Sequence, residues 1–179
     1  METSSCIVGR RSIRRFKEKT VELDLIKDLI ELASFAPSWK NSQTTRYIAI
    51  LNSEIKESIA KECCENHNRK IIESAPLLVA TTIVDKRSGF ERDGSFSTIR
   101  ENLWQAFDHG IAAQTFCLAA HDMDLGTVII GLYDIEKASK ILEVPEGELL
   151  MSIIAVGYPD EEPAAPKRKA VDQLLTIKM

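Results

Sequence analysis

The sequence contains few aromatic residues and few cysteines. Phe, Trp and Tyr make up 6% of its 179 residues, which is few for the stacked aromatic surfaces of single-stranded nucleic-acid binders. The four cysteines are Cys6, Cys63, Cys64 and Cys117. They form no Cys-x-x-Cys pair, and the adjacent Cys63 and Cys64 are poorly placed to bridge each other. We interpret all four as reduced thiols of a cytoplasmic protein.

Long apolar runs and metal-binding patterns are also absent. No run approaches the roughly 20 apolar residues of a membrane helix, and the first ten residues lack the apolar stretch of a secretory signal, so we expect no membrane partner. The three histidines are far apart and lack metal-ligand spacing, so no metal site is predicted. Apolar residues (44%) and charged residues (28%) are near the globular average, which predicts one folded domain over residues 1–179.

The net charge of −4 hides an uneven distribution of positive charge. Ten of the 23 basic residues lie in two clusters, at residues 10–19 and 167–178. A general nucleic-acid binder is usually basic overall, so that class of partner is not expected. Two basic ends on an acidic body indicate a local anionic ligand, and two merely solvated termini remain the alternative.

Hydrophobic periodicity predicts helices alternating with strands. Helices are predicted at residues 3–9, 22–35, 53–66, 100–122 and 134–142, and strands at 47–51, 77–84, 126–131, 150–156 and 171–177. Ser53 and Asp134 are the predicted helix caps. The continuous apolar run 77–84 predicts a strand covered on both faces, and the polar segment 86–98 predicts a mobile surface loop. This order of elements indicates an α/β or α+β fold.

The carboxyl-terminal residues form a predicted arm. Residues 160–167, rich in Pro and Ala, predict an extended connector that reaches up to ~25 Å from the body of the protein. The β-type run 171–177 follows it without an obvious partner. Exchange of this run with a second subunit is one interpretation, and pairing with the chain's own sheet is the other.

Four segments carry most of the candidate ligand-binding groups. They are residues 10–14 (Arg-Arg-Ser-Ile-Arg), 37–43 (Pro-Ser-Trp-Lys-Asn-Ser-Gln), 126–127 (Gly-Thr) and 167–169 (Lys-Arg-Lys). Arginine forks suit phosphates and carbonyl oxygens, whereas a purely turn-forming role is the alternative for residues 37–43. No phosphate-binding glycine loop, hydrolase motif or acid–base pair is recognisable. Any demanding chemistry is therefore expected from a cofactor, and no catalytic side chain is assigned.

In this order the segments resemble the FMN-dependent nitroreductase family over nearly the whole chain. The matching pieces are Arg10-Arg11-Ser12-Ile13-Arg14-Arg15-Phe16, Ala36-Pro37-Ser38 with Asn41 and Gln43, Asp108 to Ala120 leading into Leu125-Gly126-Thr127 and Gly131, Gly157-Tyr158-Pro159, and the arm into Lys167-Arg168-Lys169. The resemblance implies an α+β fold with a central, mostly antiparallel sheet flanked by helices. It also implies a homodimer in which the arm 160–179 packs on the partner subunit and its strand 171–177 is exchanged.

The resemblance further implies an FMN site shared between subunits. Arg10, Arg11, Ser12 and Arg14 would bind FMN from one subunit, and Pro37, Ser38, Asn41 and Gln43 from the other. Gly126 and Thr127 would line the flavin ring, and Lys167 and Arg168 would hold the phosphate. The arginines would serve the phosphate and the pyrimidine edge, with Arg14 as the candidate that favours negative charge on the reduced ring.

The function implied is an oxidoreductase that uses NADH or NADPH to reduce small-molecule acceptors such as nitroaromatics or quinones by ping-pong hydride transfer. Two alternatives stay open: a specialised reductase or dehydrogenase of an unknown metabolite, and a flavin-binding protein without significant turnover. The chain has Gln43-Thr44-Thr45 where the family often has Gln-Pro and an aromatic residue, so we expect a more open or more polar pocket wall. Residues 86–98 are the main candidate cover, and Trp39 and Phe96 are candidates for stacking on the acceptor.

Overall fold

The computed structural model describes residues 1–179 and has four strands between two layers of helices. The helices are α1 (Thr3–Gly9), α2 (Leu23–Ser34), α3 (Ser53–Ser58), α4 (Asn66–Ser74), α5 (Leu103–Asp122) and α6 (Ile135–Ile141). The strands are β1 (Thr45–Ile50), β2 (Leu77–Val84), β3 (Gly126–Ile130) and β4 (Glu148–Gly157). No helix in the chain is both long enough and apolar enough to cross a membrane.

The strands form one antiparallel sheet in the order β1-β2-β4-β3. The two long strands, β2 and β4, therefore lie at the centre. A bulge between Thr81 and Thr82 interrupts their pairing. β3 is an edge strand, but residue 12 forms a parallel bridge to Thr127 on its free side. The α+β fold with an antiparallel sheet confirms the expected architecture.

The core lies on both faces of this sheet. Leu77 and Val79 of β2 pack with α2 and α5, whereas Leu78 and Ala80 pack on the opposite face with α4, α6 and the π-helical turn Ile59–Cys63. All four side chains are fully buried. The continuous apolar run in the sequence thus arises because both faces of β2 are covered, as predicted.

The predicted helix at residues 53–66 is wrong in its cap and in its extent. Asn52, rather than Ser53, is the cap, because its Oδ1 accepts hydrogen bonds from the amides of Glu54 (2.8 Å) and Ile55 (3.0 Å). The helix continues past Ser58 as a π-helical turn to Cys63. A separate helix, α4, follows, and apart from Asn66 its residues lie outside every predicted element. By contrast, the Asp134 carboxylate caps α6 as predicted.

The loop at residues 86–98 is anchored to the protein rather than free. Phe90 and Phe96 form a β-bridge, and the amide of Ser97 donates to the Gly89 carbonyl at 2.8 Å. The indole of Trp104, in the first turn of α5, donates to Thr98 Oγ1 at 2.9 Å. The prediction of a mobile loop therefore finds no support in these contacts. The loop also extends to residue 102, so that α5 begins three residues later than predicted.

The strand predicted at residues 171–177 is absent in the single chain. Val171–Gln173 form a short 3-10 turn instead, and the residues from 164 onward are exposed. The tail does not pair with the chain's own sheet, so the interpretation of a tail folded back as a strand is wrong. Exchange with a second subunit stays a prediction.

Candidate functional site

Three clefts contain most of the predicted ligand-binding residues. The first cleft, of about 320 Å³, is lined by residues 9–11, 13, 121, 125–127, 159 and 161–163. The second, of about 380 Å³, is lined by residues 30, 33, 34, 36–38, 43–47, 49, 108 and 112. The third, of about 590 Å³, is lined by residues 39–42, 86, 87 and 90–92. The first cleft shares no residue with the other two.

The first cleft forms where the chain crosses the edge of the sheet after α1. The amide of Ile13 donates to the carbonyl of Thr127 at 2.9 Å, which holds residues 10–14 alongside β3. The structure thus brings Arg10 and Arg11 together with Gly126 and Thr127, and places Ser12 at the bridge. The cleft therefore joins two of the four predicted ligand-binding segments.

The arginines at this edge also contact the backbone. Arg11 Nη1 donates to the carbonyls of Val8 (2.7 Å), Gly9 (3.2 Å) and Arg10 (2.9 Å), at the carboxyl end of α1 where a positive charge is stabilising. Arg14 Nη1 donates to the Ser12 carbonyl at 3.2 Å. Both side chains thus help to shape the segment, and each guanidinium keeps further donors.

The side chain missing at Gly126 leaves space that Ile13 fills. A Cβ at Gly126 would lie 2.7–2.9 Å from three atoms of the Ile13 side chain, closer than such atoms pack. The resemblance to the nitroreductase family implies that this glycine lines the flavin ring. In the structure it allows residues 12–13 to lie against β3, which is a packing role.

The Glu161 carboxylate occupies two backbone donors beside the first cleft. Its Oε1 accepts from the amides of Arg14 (2.5 Å) and Arg15 (3.2 Å), and its Oε2 is 3.3 Å from Arg15 Nε. The bond from the Arg14 amide is the main cause that lowers the pKa of Glu161. These donors therefore suit an anionic oxygen, although here they bind the start of the arm.

Lys167 and Arg168 are not brought to the first cleft. Both are exposed in the arm and line none of the three clefts. The arm leaves the body of the protein beside the cleft, at residues 161–163. The proposed phosphate contact of these two side chains stays a prediction for an assembly of two chains.

The second cleft is built around a tight turn. Its predicted residues Pro37, Ser38 and Gln43 line the cleft, and Ser38 Oγ accepts from the Gln43 amide at 2.9 Å. Asn41 lines the third cleft instead, although its Oδ1 accepts from Gln43 Nε2 at 3.2 Å. Lys40, Asn41 and Gln43 have φ values of 47°, 53° and 48°. Strained, non-glycine backbone of this kind is concentrated at functional sites.

Asp108 is the residue at this site whose role the sequence analysis missed. Its side chain is 3% exposed and lines the second cleft. Its Oδ2 accepts from the amide of Trp39 (2.9 Å) and from Ser88 Oγ (2.6 Å), so it joins the turn to the loop after β2. The one available signal was an acidic residue among the small and apolar residues of α5.

His109, the next residue, belongs to the core. Its Nε2 lies 2.8 Å from Thr81 Oγ1, which also lies 2.7 Å from Ser152 Oγ across the central strands. Burial lowers the pKa of His109, which favours the neutral ring. It lines none of the three clefts, so we assign it a structural role.

Comparison with known proteins identifies the family. A sequence model of the nitroreductase family matches residues 7–158. A Methanothermobacter thermautotrophicus protein with the provisional name NADH dehydrogenase/NAD(P)H nitroreductase is 29% identical over 167 residues, which cover 91% of this chain and 80% of that protein. The chain therefore belongs to the nitroreductase family.

Solved structures show the same fold. The nitroreductase family protein of Streptococcus pneumoniae TIGR4 superposes with a TM-score of 0.87 at 22% identity, over 99% of this chain and 100% of that one. An FMN-dependent nitroreductase of Clostridium difficile R20291 superposes with a TM-score of 0.75 at 25% identity, over 92% of each chain.

Proposed function

We propose that the chain is an FMN-dependent oxidoreductase that uses NADH or NADPH to reduce nitroaromatics, quinones or similar acceptors in ping-pong order. Membership of the nitroreductase family supports this activity, as do the names of the archaeal relative and of the clostridial structure. The observation that carries the proposal is the pair of donor-rich clefts. The first cleft contains four of the twelve predicted FMN-binding residues, the second contains three others, and the two clefts share no residue.

The donor set of the first cleft fits the phosphate and the polar ring edge of FMN. Arg10 and Arg11 line it, and the adjoining amides of residues 14 and 15 donate to an anionic oxygen, that of Glu161. Arg14 is exposed at the same edge. When bound, FMN would supply the hydride chemistry, passing reducing equivalents from the nicotinamide to the acceptor. The fixed charge of Arg14 would stabilise the negative charge that reduction adds at the pyrimidine edge.

The second cleft fits the opposite face of such a site. Ser38 and Gln43 offer hydroxyl and amide groups there, and Pro37 and Thr44 form part of the wall. Asp108 acts as a positioning residue, because it fixes the turn through the Trp39 amide. No histidine or second carboxylate faces Asp108 in this cleft, so we assign no proton donor, and solvent would supply protons.

A homodimer would complete the site, with the first cleft of one subunit facing the second cleft of the other. The single domain 1–179 would then contribute half of each site, and its arm 160–179 would pack on the partner. Exposed apolar side chains support this assembly: Leu103 and Phe107 on α5 are each 59% exposed, and Leu174 in the tail is 70% exposed. Large exposed apolar side chains of this kind are typical of interaction sites.

The purified protein tests the proposal by its colour. We expect bound FMN with the absorption bands of an oxidised flavin, and bleaching of those bands when NADH or NADPH is added without oxygen. Oxidation by a nitroaromatic or a quinone should then restore them. A colourless protein that binds no added FMN would refute the proposal, and binding without bleaching would leave only a flavin-binding protein.

A further inference from the structure

The third cleft is a positively charged pocket next to the proposed flavin site. Residues 39–42 form one wall, whereas residues 38 and 43 at the ends of the same turn line the second cleft, so the two clefts adjoin. The loop residues 86–92 form the other wall. Apart from Asn41, no residue of the third cleft belongs to the predicted FMN-binding set.

The charge of this cleft is largely unneutralised. Four of its residues are cationic and one, Glu91, is acidic. Glu91 Oε1 accepts from Ser97 Oγ at 2.6 Å and lies 3.2 Å from Lys40 Nζ, and these bonds lower the pKa of Glu91. Because Glu91 is held by these two groups, it is not shared with the other cations. Lys86, Arg87 and Arg92 form no ion pair with any carboxylate of the chain.

The same cleft offers aromatic rings whose orientation is fixed and polar groups that lack a partner. Trp39 packs on Trp104 with ring centroids 4.6 Å apart, and Phe90 packs on Phe96 at 4.9 Å. The Trp39 Nε1 and Ser42 Oγ atoms are buried without a hydrogen-bond partner in the protein. Buried polar groups are nearly always paired, so an unpaired donor in a cleft wall points to a ligand or to water.

The backbone of both walls is strained. Lys40 and Asn41 on one side and Lys86 on the other have φ values of 47–53°, a region that residues other than glycine seldom adopt. Such conformations persist only where the surrounding contacts enforce them. Close to these residues in sequence, the Asp108 carboxylate binds both the Trp39 amide and Ser88 Oγ and so ties the two walls together. The cleft is therefore a preformed feature of the fold.

We propose that the third cleft binds the adenosine 2′-phosphate half of NADPH and makes NADPH the preferred reductant. Arg87 and Arg92 provide planar forks that match a phosphate, and Lys86 adds a third positive charge. The rings of Trp39 and Phe90 provide apolar faces for the purine. This inference rests on the proposed function, because it concerns the nucleotide that reduces the flavin in the adjoining cleft.

The first test measures binding and needs no turnover. Adenosine 2′,5′-bisphosphate and 5′-AMP are titrated calorimetrically into the FMN-loaded protein, into the double variant Arg87→Ala/Arg92→Ala, and into Arg100→Ala. Arg100 is an exposed arginine of the same connection that lines none of the three clefts. We expect the unaltered protein and the control to bind the bisphosphate about tenfold or more tightly than 5′-AMP, and the double variant to lose this preference. Equal affinities in the unaltered protein would overturn the proposal.

The second test measures reduction of the bound flavin without oxygen. The double variant should need about tenfold or more NADPH for half-maximal reduction, while its response to NADH stays unchanged. The unchanged NADH response also shows that the variant is folded and holds flavin. If the variant instead responds normally to NADPH but reduces 4-nitrobenzoate more slowly while its rate with nitrobenzene is unchanged, the cleft binds an anionic acceptor and the proposal is wrong. If the protein binds no FMN, the proposed function is refuted. Titration of the flavin-free protein with adenosine 2′,5′-bisphosphate and 5′-AMP would still test the nucleotide site.

Discussion

Asp108 shows at the scale of one residue how a buried charge positions a binding site. The carboxylate is buried in α5, yet both of its protein donors come from loops, at Trp39 and Ser88. Burying a charge is costly unless hydrogen bonds compensate for it. The two loops therefore donate the hydrogen bonds that compensate for burial of the carboxylate. In turn, the carboxylate fixes the turn that lines the second and third clefts.

We predict that Asp108→Ala lowers the free energy of unfolding by about 2–4 kcal/mol, because it leaves the Trp39 amide and Ser88 Oγ without their acceptor. Asp108→Asn, which keeps one carbonyl oxygen as an acceptor, should lower the free energy of unfolding by less. Urea denaturation measures both changes, and calorimetric titration with FMN should show weaker binding in the same order.

Glu31→Ala serves as the control, since it removes an exposed carboxylate on α2, and its effect should stay within about 0.5 kcal/mol. If Asp108→Ala is as stable as the unaltered protein and binds FMN equally well, the carboxylate does not position the turn.

The residues of the site could be read from the sequence only in part. Arg10, Arg11, Gly126 and Thr127 are distant in sequence, and only the resemblance to the nitroreductase family predicted that they meet. The division of residues 37–43 between two clefts was not predictable. It depends on left-handed backbone at Lys40, Asn41 and Gln43, and asparagine is enriched there but lysine and glutamine are not.

At the scale of elements, the edge of β3 is covered by the segment that carries the arginines. The covering is close because Gly126 has no side chain, and Ile13 fills that space. We predict that Gly126→Ala lowers the free energy of unfolding by about 1–3 kcal/mol through overpacking. The variant should also bind FMN more weakly, because it would push Arg10 and Arg11 away from the cleft.

Gly131→Ala is the matched control, at the residue after the other end of β3, where an added Cβ meets no atom within 4 Å. Its stability, measured by the same denaturation, should stay within about 0.5 kcal/mol of the unaltered protein. If the two alanine variants are equally stable, residues 12–13 can move away from β3 at little cost, which would contradict the packing role assigned to Gly126.

Most elements were predictable because their burial follows a regular period. β2 is apolar except for Thr81 and Thr82 because both of its faces are covered, and α2 repeats its apolar residues at helical steps. Helix α4 was missed because only Ile71 and Ile72 of its nine residues are buried, which is too few to show a period. The cap at Asn52 rather than Ser53 was equally undecidable, since both residue types cap helices well.

For the whole molecule, the arm decides whether one chain holds a complete site. Lys167 and Arg168 lie outside the first cleft although the arm begins beside it. The tail adds Leu174 and Ile177, which are 70% and 71% exposed. The two basic clusters, near the start and the end of the chain, can bind one anionic ligand together only if the arm of one subunit reaches the first cleft of another.

We predict that the protein is a dimer of twice 20.0 kDa and that the double variant Leu174→Asp/Ile177→Asp weakens both the dimer and FMN binding. Burial of each of these side chains at an interface contributes about 1.5–3 kcal/mol, so losing both should raise the dissociation constant of the dimer at least about 100-fold. Light scattering at several protein concentrations measures this constant, and the flavin released from the variant on gel filtration measures the loss of FMN. Lys178→Ala, in the same tail, should change neither. A monomer that retains FMN fully would show that each chain forms its own site and would contradict the shared arrangement.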